Sequence, residues 1–166
     1  TQLGIQALDI GSLSGNLIVK NQIFGTGEMP VGDRLGCTPG LRLSQNSVHD
    51  NGLALRLVYP SGHRNVYVND RSDIDGCQNY PLLLSAVLDN GALKMAGNLS
   101  TKLGGGFYRI EFFANHFSPD GYGEGEIYLG FLDLDVGIGG LQGFDLTVPA
   151  NPHVSVGMFL TANATT

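Results

Sequence analysis

The sequence predicts an all-β protein, and three observations lead to that prediction. Glycine is abundant, at 25 of 166 residues, only 14% of the residues are charged, and short alternating apolar runs are separated by turn-forming residues. Glycine-rich turns joining β-branched or aromatic runs favour strands, and no window has the period of an amphipathic helix. Hydrophobic residues make up 42% of the chain, which is enough for a folded core.

The first third of the chain contains an irregular repeat. Gly15–Phe24 and Gly40–His49 each have a glycine, an alternating run, and an asparagine followed two residues later by Ile or Val. Their offset of about 25 residues is typical of one coil of a parallel β-helix, in which asparagines at the bends stack from coil to coil. Two unrelated β-hairpins could imitate the pattern. We expect neighbouring strands in Gly4–Ile10 and Leu53–Val58, and an inserted loop over Thr26–Pro39.

The second half of the chain has the rhythm of a β-sandwich. Turn signals such as Asn90-Gly91, Gly104-Gly105-Gly106 and Pro119-Asp120-Gly121 separate short apolar runs. The runs predict strands at Leu82–Val87, Ala92–Leu99, Phe107–Ala114, Ile127–Val136, Phe144–Val148 and Val154–Ala162. The predicted fold is therefore a short β-helix segment (1–64), an acidic connector (65–81) and an immunoglobulin-like β-sandwich (82–166).

A stack of so few coils has a physical consequence. Solenoid coils contact only their neighbours, and about three are needed before a core closes. Two or three coils therefore leave an apolar end at the top, the bottom or both. More chain, a cap or another copy of the molecule must cover such ends.

Several motifs resemble the C-terminal region of bacterial right-handed parallel β-helix surface proteins, which are adhesin-like. The connector Asn69–Gly76 followed by Gln78–Pro81, the run Phe112-Phe113-Ala114-Asn115, and the turn Gly121–Glu126 occur here in the order typical of that family. The resemblance covers the chain from about Asn46 to its end. It implies a right-handed β-helix with an appended β-sandwich, and export to the cell surface, more than any reaction.

The sequence departs from that family in two ways. Relatives often have a cysteine between the two motifs, where this chain has His116–Asp120. They also carry a long solenoid, whereas this chain has two or three coils. The short β-helix is therefore expected to be truncated or completed by a neighbour.

The connector is the best candidate for a metal site. Asn69, Asp70, Asp73 and Asp75 place three carboxylates and an amide within seven residues, and calcium accepts six to eight oxygen ligands in flexible geometry. The spacing is not that of an EF-hand. The alternative is a series of Asx turns, in which these side chains bond backbone N–H groups. A bound calcium would be structural and would fix the angle between the two β units.

No motif in the sequence indicates catalysis, so we expect a protein that is not an enzyme. Glu124, Glu126 and Asp120 could form a glycosidase-like carboxylate pair, but solvated turn residues are the favoured interpretation. The histidines, at 49, 63, 116 and 153, have no metal-ligand spacing, and there is no nucleophile elbow. Cys37 and Cys77 can form a disulfide in an oxidising compartment or remain two free thiols.

Charge and hydropathy limit the partners. A net charge of −6 without a basic run excludes phosphate-backbone binding to nucleic acid. No apolar stretch reaches the roughly 18–20 residues of a transmembrane segment. The chain opens at Thr1 rather than methionine, which is typical of a processed or excised form, and an extracellular or cell-surface location is expected.

Two functions are compatible with these features. The first is a self-assembling extracellular structural protein, a subunit of a surface fibre, sheath or layer, or an adhesion module, which associates through its coil ends or edge strands. The second is a carbohydrate-binding or polysaccharide-processing module. That alternative predicts that aromatic side chains lie exposed on one face, with Tyr59, Tyr67, Tyr122 and Tyr128 as the candidates.

Overall fold

The computed structural model describes residues 5–7, 16–25, 31–33, 41–51, 56–57, 69, 79–101, 105–117, 125–138 and 140–165. All regular secondary structure within these ranges is β-strand, so the all-β prediction is confirmed. The strands fall into two groups, which we call the parallel-strand unit (β1–β7) and the two-sheet unit (β8–β13). The first comprises β1 (Ile5–Ala7), β2 (Asn16–Val19), β3 (Gln22–Phe24), β4 (Val31–Asp33), β5 (Leu41–Ser44), β6 (Ser47–His49) and β7 (Arg56–Leu57). The second comprises β8 (Leu82–Asp89), β9 (Ala92–Ser100), β10 (Gly106–Asn115), β11 (Ile127–Val136), β12 (Leu141–Pro149) and β13 (Phe159–Thr165).

The parallel-strand unit consists of three small sheets, with strand orders β1-β4-β7, β2-β5 and β3-β6. Every pair in them is parallel. Asn16 lies opposite Leu41 and Gln22 opposite Ser47, each 25 residues further along the chain. The two windows that the sequence aligns are therefore direct neighbours in space, in the predicted register.

The bends of this unit repeat with the same spacing. Lys20 and Gln45 both adopt positive φ, at 55° and 53°, and end β2 and β5. Gly25 and Asp50 adopt 73° and 56° directly after β3 and β6. A left-handed residue redirects the chain within one position. Matching left-handed residues on successive levels therefore keep the levels superimposed through the corners.

Asparagines connect the two levels at the first corner, as the sequence predicts. The Asn46 Oδ1 atom accepts hydrogen bonds from Asn21 N at 3.0 Å and from Asn21 Nδ2 at 3.2 Å. Asn46 Nδ2 donates to the Ile18 carbonyl at 2.8 Å, back on the first level. The corner backbone is thus satisfied by side chains from the neighbouring level, which a buried bend requires.

A small apolar core supports this stack. Ile23 and Val48 are buried one above the other, and Ile18 packs against them. On the outside, the rings of Phe24 and His49 stack with centroids 5.3 Å apart and planes inclined by 10°. Equivalent positions on the two levels therefore form ladders both inside and outside the unit.

The expected loop over Thr26–Pro39 is wrong in part. It contains β4 (Val31–Asp33), which lies between β1 and β7 and pairs with both. The flanking Pro30 and the central Gly32 give this strand no local signal, and pairing on both sides stabilises it instead. The strands expected in Gly4–Ile10 and Leu53–Val58 are present as β1 and β7.

The two-sheet unit consists of two antiparallel sheets, with strand orders β12-β9-β8 and β11-β10-β13. Their inward side chains form one apolar cluster. Its buried members come from both sheets: Leu93, Met95, Leu99, Tyr108, Ile110, Phe112, Val136 and Phe144. Phe112 and Phe144 meet edge to face across the layers, with ring centroids 5.7 Å apart.

All six strands predicted for this unit overlap observed strands, but the last is displaced. The strand expected at Val154–Ala162 begins only at Phe159. Turns occupy the preceding residues, because the Val154 N–H donates to the Asn151 carbonyl at 2.9 Å and the Met158 N–H donates to the Ser155 carbonyl at 3.3 Å. These local hydrogen bonds replace the ladder that the apolar residues alone predict.

Candidate functional site

The most unusual surface of the molecule is the outer face of β10. At the start of β10, Phe107 is exposed and Arg109 is half-buried on this face, as expected for a sheet with one solvated side. Glu111, Phe113 and Asn115 lie on the same face and are buried. Other parts of the chain therefore cover the second half of this face, and we call this region the junction.

The centre of the junction is the buried carboxylate of Glu111, whose residue is 1% exposed. Its Oε1 accepts from the Ser44 hydroxyl at 2.5 Å, and its Oε2 accepts from the Gln45 N–H at 2.9 Å. Both donors belong to the corner that ends β5. A carboxylate withdrawn from water is costly unless it is hydrogen-bonded. Glu111 thus ties the parallel-strand unit to the two-sheet unit at a defined point.

Asn115 positions the backbone segment that makes the second contact of the junction. Its Oδ1 accepts from the backbone N–H groups of Gly125 at 2.6 Å and Glu126 at 3.0 Å. Its Nδ2 donates to the Thr161 hydroxyl at 3.1 Å on β13. This fully buried amide fixes the segment Gly125-Glu126 beside the end of β10.

The segment Gly125-Glu126 in turn accepts hydrogen bonds from β6. Val48 donates its N–H to the Gly125 carbonyl at 2.9 Å, and the Ser47 hydroxyl donates to the Glu126 carbonyl at 2.7 Å. Ser47 donates its own N–H in the opposite direction, to the Asn21 carbonyl of the first level. Successive N–H groups of a strand point to opposite sides. The two-sheet unit therefore occupies the side of β6 that faces away from β3.

The exposed part of the outer face carries a charged pair. Arg109 bonds Asp133 in bidentate fashion, with both N···O distances at 2.7 Å, and its guanidinium carbon lies 4.0 Å from the centre of the Phe131 ring. The hydrogen bond with Asp133 raises the pKa of Arg109 further above its usual value. Surface pairs of this kind contribute little to stability.

Two polar atoms near Glu111 are buried without a hydrogen-bond partner among the described residues: the Tyr128 hydroxyl and Asn163 Oδ1. Asn163 lies directly opposite Glu111 on β13. Burial raises the pKa of Tyr128, and the negative charge of Glu111 raises it further. The hydroxyl is therefore a buried donor that has no partner among the described residues of the junction.

Of the three carboxylates in the acidic turn, only Glu126 lies among the described residues. Glu126 turns towards His116, whose ring Nδ1 lies 2.7 Å from its Oε1 and whose backbone N–H donates to its Oε2 at 2.8 Å. Glu124 and Asp120 lie outside the described residues. Glu126 is thus a turn-fixing residue that secures the start of the junction segment.

Of the proposed calcium ligands, only Asn69 is described. Its Oδ1 accepts from the Tyr80 N–H at 2.8 Å, and its Nδ2 donates to the Tyr80 carbonyl at 2.7 Å. Asn69 thus caps the backbone of a residue eleven positions further along the chain, which is not the local Asx turn of the alternative interpretation. Asp70, Asp73 and Asp75 lie outside the described residues, within which no cluster of three acidic, histidine or cysteine side chains occurs.

Several other predicted residues also fall outside the described ranges. They are both cysteines of the predicted disulfide, three of the four tyrosines named for a glycan surface, and one histidine: Cys37, Cys77, Tyr59, Tyr67, Tyr122 and His63. The fourth tyrosine, Tyr128, has a buried hydroxyl and packs edge to face on Phe113, with ring centroids 5.6 Å apart. It is therefore part of the junction rather than an exposed aromatic platform.

Sequence reasoning missed the roles of Glu111, Ser44 and Asn115. A signal was present in the run Ile110–Asn115, which is apolar on both faces apart from one carboxylate and one amide. Such a strand is buried on both sides, and its polar side chains must then find partners. The resemblance placed this run in a sandwich core without assigning it a contact.

Comparison with known proteins adds no relative. No protein-family model matches the chain, and no curated protein is significantly similar to it. The part of the chain that the structure describes has no helix long and apolar enough to cross a bilayer.

Proposed function

We propose that this chain is a non-enzymatic extracellular structural protein, a self-assembling subunit of a surface fibre, sheath or layer, or an adhesion module. In this proposal the parallel-strand unit is a short right-handed β-helix and the two-sheet unit is an immunoglobulin-like β-sandwich. One observation carries the proposal: the two-sheet unit covers one side of the strand stack, and no described strand pairs on the other side.

The covered side supports a terminating role for the two-sheet unit. Beyond β5 and β6, Glu111 and the segment Gly125-Glu126 take the hydrogen bonds that a further coil would otherwise make. Head-to-tail stacking of copies through both ends of the coils is therefore disfavoured. The sandwich acts as a cap, one of the three covers expected for so short a stack.

The open side supports assembly. Among the described strands, β1, β2 and β3 each pair on one side only. Ile23 in β3 belongs to the apolar core, and Phe24 continues the outer aromatic ladder while 58% exposed. A sheet edge with free N–H and C=O groups is a template for another strand. A second copy that pairs through this edge would extend the stack, and because the other side of each stack is covered, this contact by itself joins two copies.

Assembly through the β3 edge can be tested at a single residue. Because Ser47 donates to Asn21, the backbone groups of Gln22 point away from β6. Gln22→Pro removes one free N–H without touching the β3–β6 pairing, and Gln22→Ser is the matched control that keeps it. Proline at such an edge position is tolerated by the fold.

Sedimentation velocity and negative-stain microscopy then provide the measurement over a wide range of concentrations. We expect the wild-type chain and Gln22→Ser to associate with increasing concentration, and Gln22→Pro to associate much less through this edge. A wild-type chain that stays monomeric at every concentration would contradict the proposal, as would unchanged association of Gln22→Pro.

A further inference from the structure

The sheet β12-β9-β8 carries an acceptor motif for N-linked glycans on the side that faces away from the core. The residues Asn98-Leu99-Ser100 have the Asn-x-Ser spacing that such acceptors require. They lie in β9, the middle strand of the sheet. Successive side chains of a strand point to opposite faces, and Leu99 is fully buried in the core. Asn98 and Ser100 therefore both point to the outer face of this sheet.

The side-chain amide of Asn98 is accessible and has room beside it. The residue is half-buried, and its amide is not among the buried polar atoms that lack a partner, so it reaches solvent. Among the described residues, none forms a hydrogen bond with this amide. Its neighbour on β12 is Gly143, which is exposed and has no side chain. A sugar ring attached to the Asn98 Nδ2 atom can therefore extend over β12 into solvent.

Exposed leucines lie around this acceptor. Leu82 is directly opposite Asn98 on β8 and is 43% exposed, and Leu84, further along β8, is 69% exposed. On the other side, Leu141 lies opposite Ser100 on β12 and is 63% exposed. Clustered apolar side chains at the surface of a folded domain usually mark a region that another group covers. A glycan on Asn98 would lie at the centre of these three leucines, which we call the leucine patch.

The sequence contains a second motif of the same kind, Asn163-Ala164-Thr165, in a different environment. Asn163 lies on β13 directly opposite Glu111, on the face that the junction covers. Its Oδ1 atom is buried, whereas the amide of Asn98 is not. A glycan on Asn163 would have to occupy space beside Glu111 that the junction fills. The folded structure therefore accommodates a glycan on Asn98 and not on Asn163.

We propose that Asn98 is an N-glycosylation site and that its glycan covers the leucine patch. The donor is an oligosaccharide joined through pyrophosphate to a lipid, and a membrane-bound transferase catalyses the transfer. A bond forms between Asn98 Nδ2 and the anomeric carbon of the sugar, the bond from that carbon to the pyrophosphate oxygen breaks, and Nδ2 releases one proton. The inference rests on the proposed function, because an exported chain is the kind of chain that meets such a transferase.

The test is secretion of the full chain from cells that attach N-linked glycans. We expect most secreted molecules to carry one glycan, which intact mass detects and peptide-N-glycosidase removes while converting Asn98 to an aspartate. Asn98→Gln and Ser100→Ala should each abolish this glycan. Ser100→Thr preserves the motif and should keep it, and Asn163→Gln is the matched control that should leave it unchanged.

Several outcomes would overturn the assignment of Asn98. They are a secreted chain without a glycan, a glycan on Asn163 instead, and a glycan that persists in Ser100→Ala. None of them bears on the proposed function, which fails only by the association measurements on the wild-type and Gln22→Pro chains. The two proposals can therefore fail independently.

A second readout examines whether the glycan covers the leucine patch. Enzymatic removal of the glycan from the folded chain should raise the fluorescence of an added dye that binds exposed apolar surface. The double substitution of Leu84→Ser and Leu141→Ser should abolish that rise, because it removes the two most exposed members of the patch. Equal fluorescence before and after removal of the glycan would overturn the covering role.

Discussion

Substitution of Glu111 tests whether one buried carboxylate holds the two units together. Glu111→Ala removes the acceptor of the Ser44 hydroxyl and of the Gln45 N–H. Hydrogen bonds to a charged group contribute about 1.5–3 kcal/mol each, and relief of the desolvated carboxylate offsets part of their loss. We expect the free energy of unfolding to fall by about 3 kcal/mol.

Glu111→Gln is the conservative comparison. Its amide oxygen can accept from the Gln45 N–H, and its NH₂ group can donate to the Ser44 hydroxyl oxygen, so both contacts survive in neutral form. The expected loss is about 1 kcal/mol. A double-mutant cycle with Ser44→Ala should give a coupling energy of about 1 kcal/mol or more, because the two side chains are in direct contact.

Urea unfolding measures these free energies, and native-state hydrogen exchange localises them. In Glu111→Ala the amide of Val48, which bonds the Gly125 carbonyl, should exchange faster, while amides in the core of β9 exchange at a rate set by global stability. Equal midpoints for the two Glu111 variants, or additive effects with Ser44→Ala, would refute the reasoning.

Three further substitutions test the corner, the buried hydroxyl and the sheet. Asn46→Ala should lower the free energy of unfolding by about 2 kcal/mol, because it removes the hydrogen bonds between the two levels. Asn21 is exposed, so Asn21→Ala should lower it by about half as much in the same urea assay. Tyr128→Phe should raise the free energy of unfolding by about 1 kcal/mol, because the buried hydroxyl has no partner among the described residues. A fall of the same size in the free energy of unfolding would contradict this expectation. Since the folded pKa of Tyr128 lies above the ordinary 10.0, the unfolded chain ionises first, and wild-type stability should fall as pH rises past about 10, less steeply in Tyr128→Phe. Gly97→Ala should cost about 3 kcal/mol in thermal unfolding, because its Cβ would overlap the Leu82 carbonyl oxygen; an unchanged Tm would contradict the close β8–β9 approach.

Local sequence signals predicted the elements that depend on local chemistry. The Asn-Gly turn places the β8–β9 hairpin, because both residues tolerate positive φ. The 25-residue repeat predicts that Asn21 and Asn46 stack, because equal spacing brings equal side chains to equal corners. By contrast, β4 has three residues with a central glycine and is fixed only by its two neighbours. The displaced start of β13 follows from turn hydrogen bonds that apolar content does not encode.

The sequence by itself determined the all-β class, the register of the repeated strands and the corners between them. These properties follow from residue spacing and from the φ preferences of a few turn residues. Only the tertiary structure decided that the outer face of β10 is covered and that Glu111 and Asn115 bind the opposite unit. The partners of Glu111 lie 66 and 67 residues away in sequence, and no local pattern specifies which face of a strand a distant segment will cover. The burial of that carboxylate is therefore a property of the assembled chain, stabilised by donors that only the fold brings within reach.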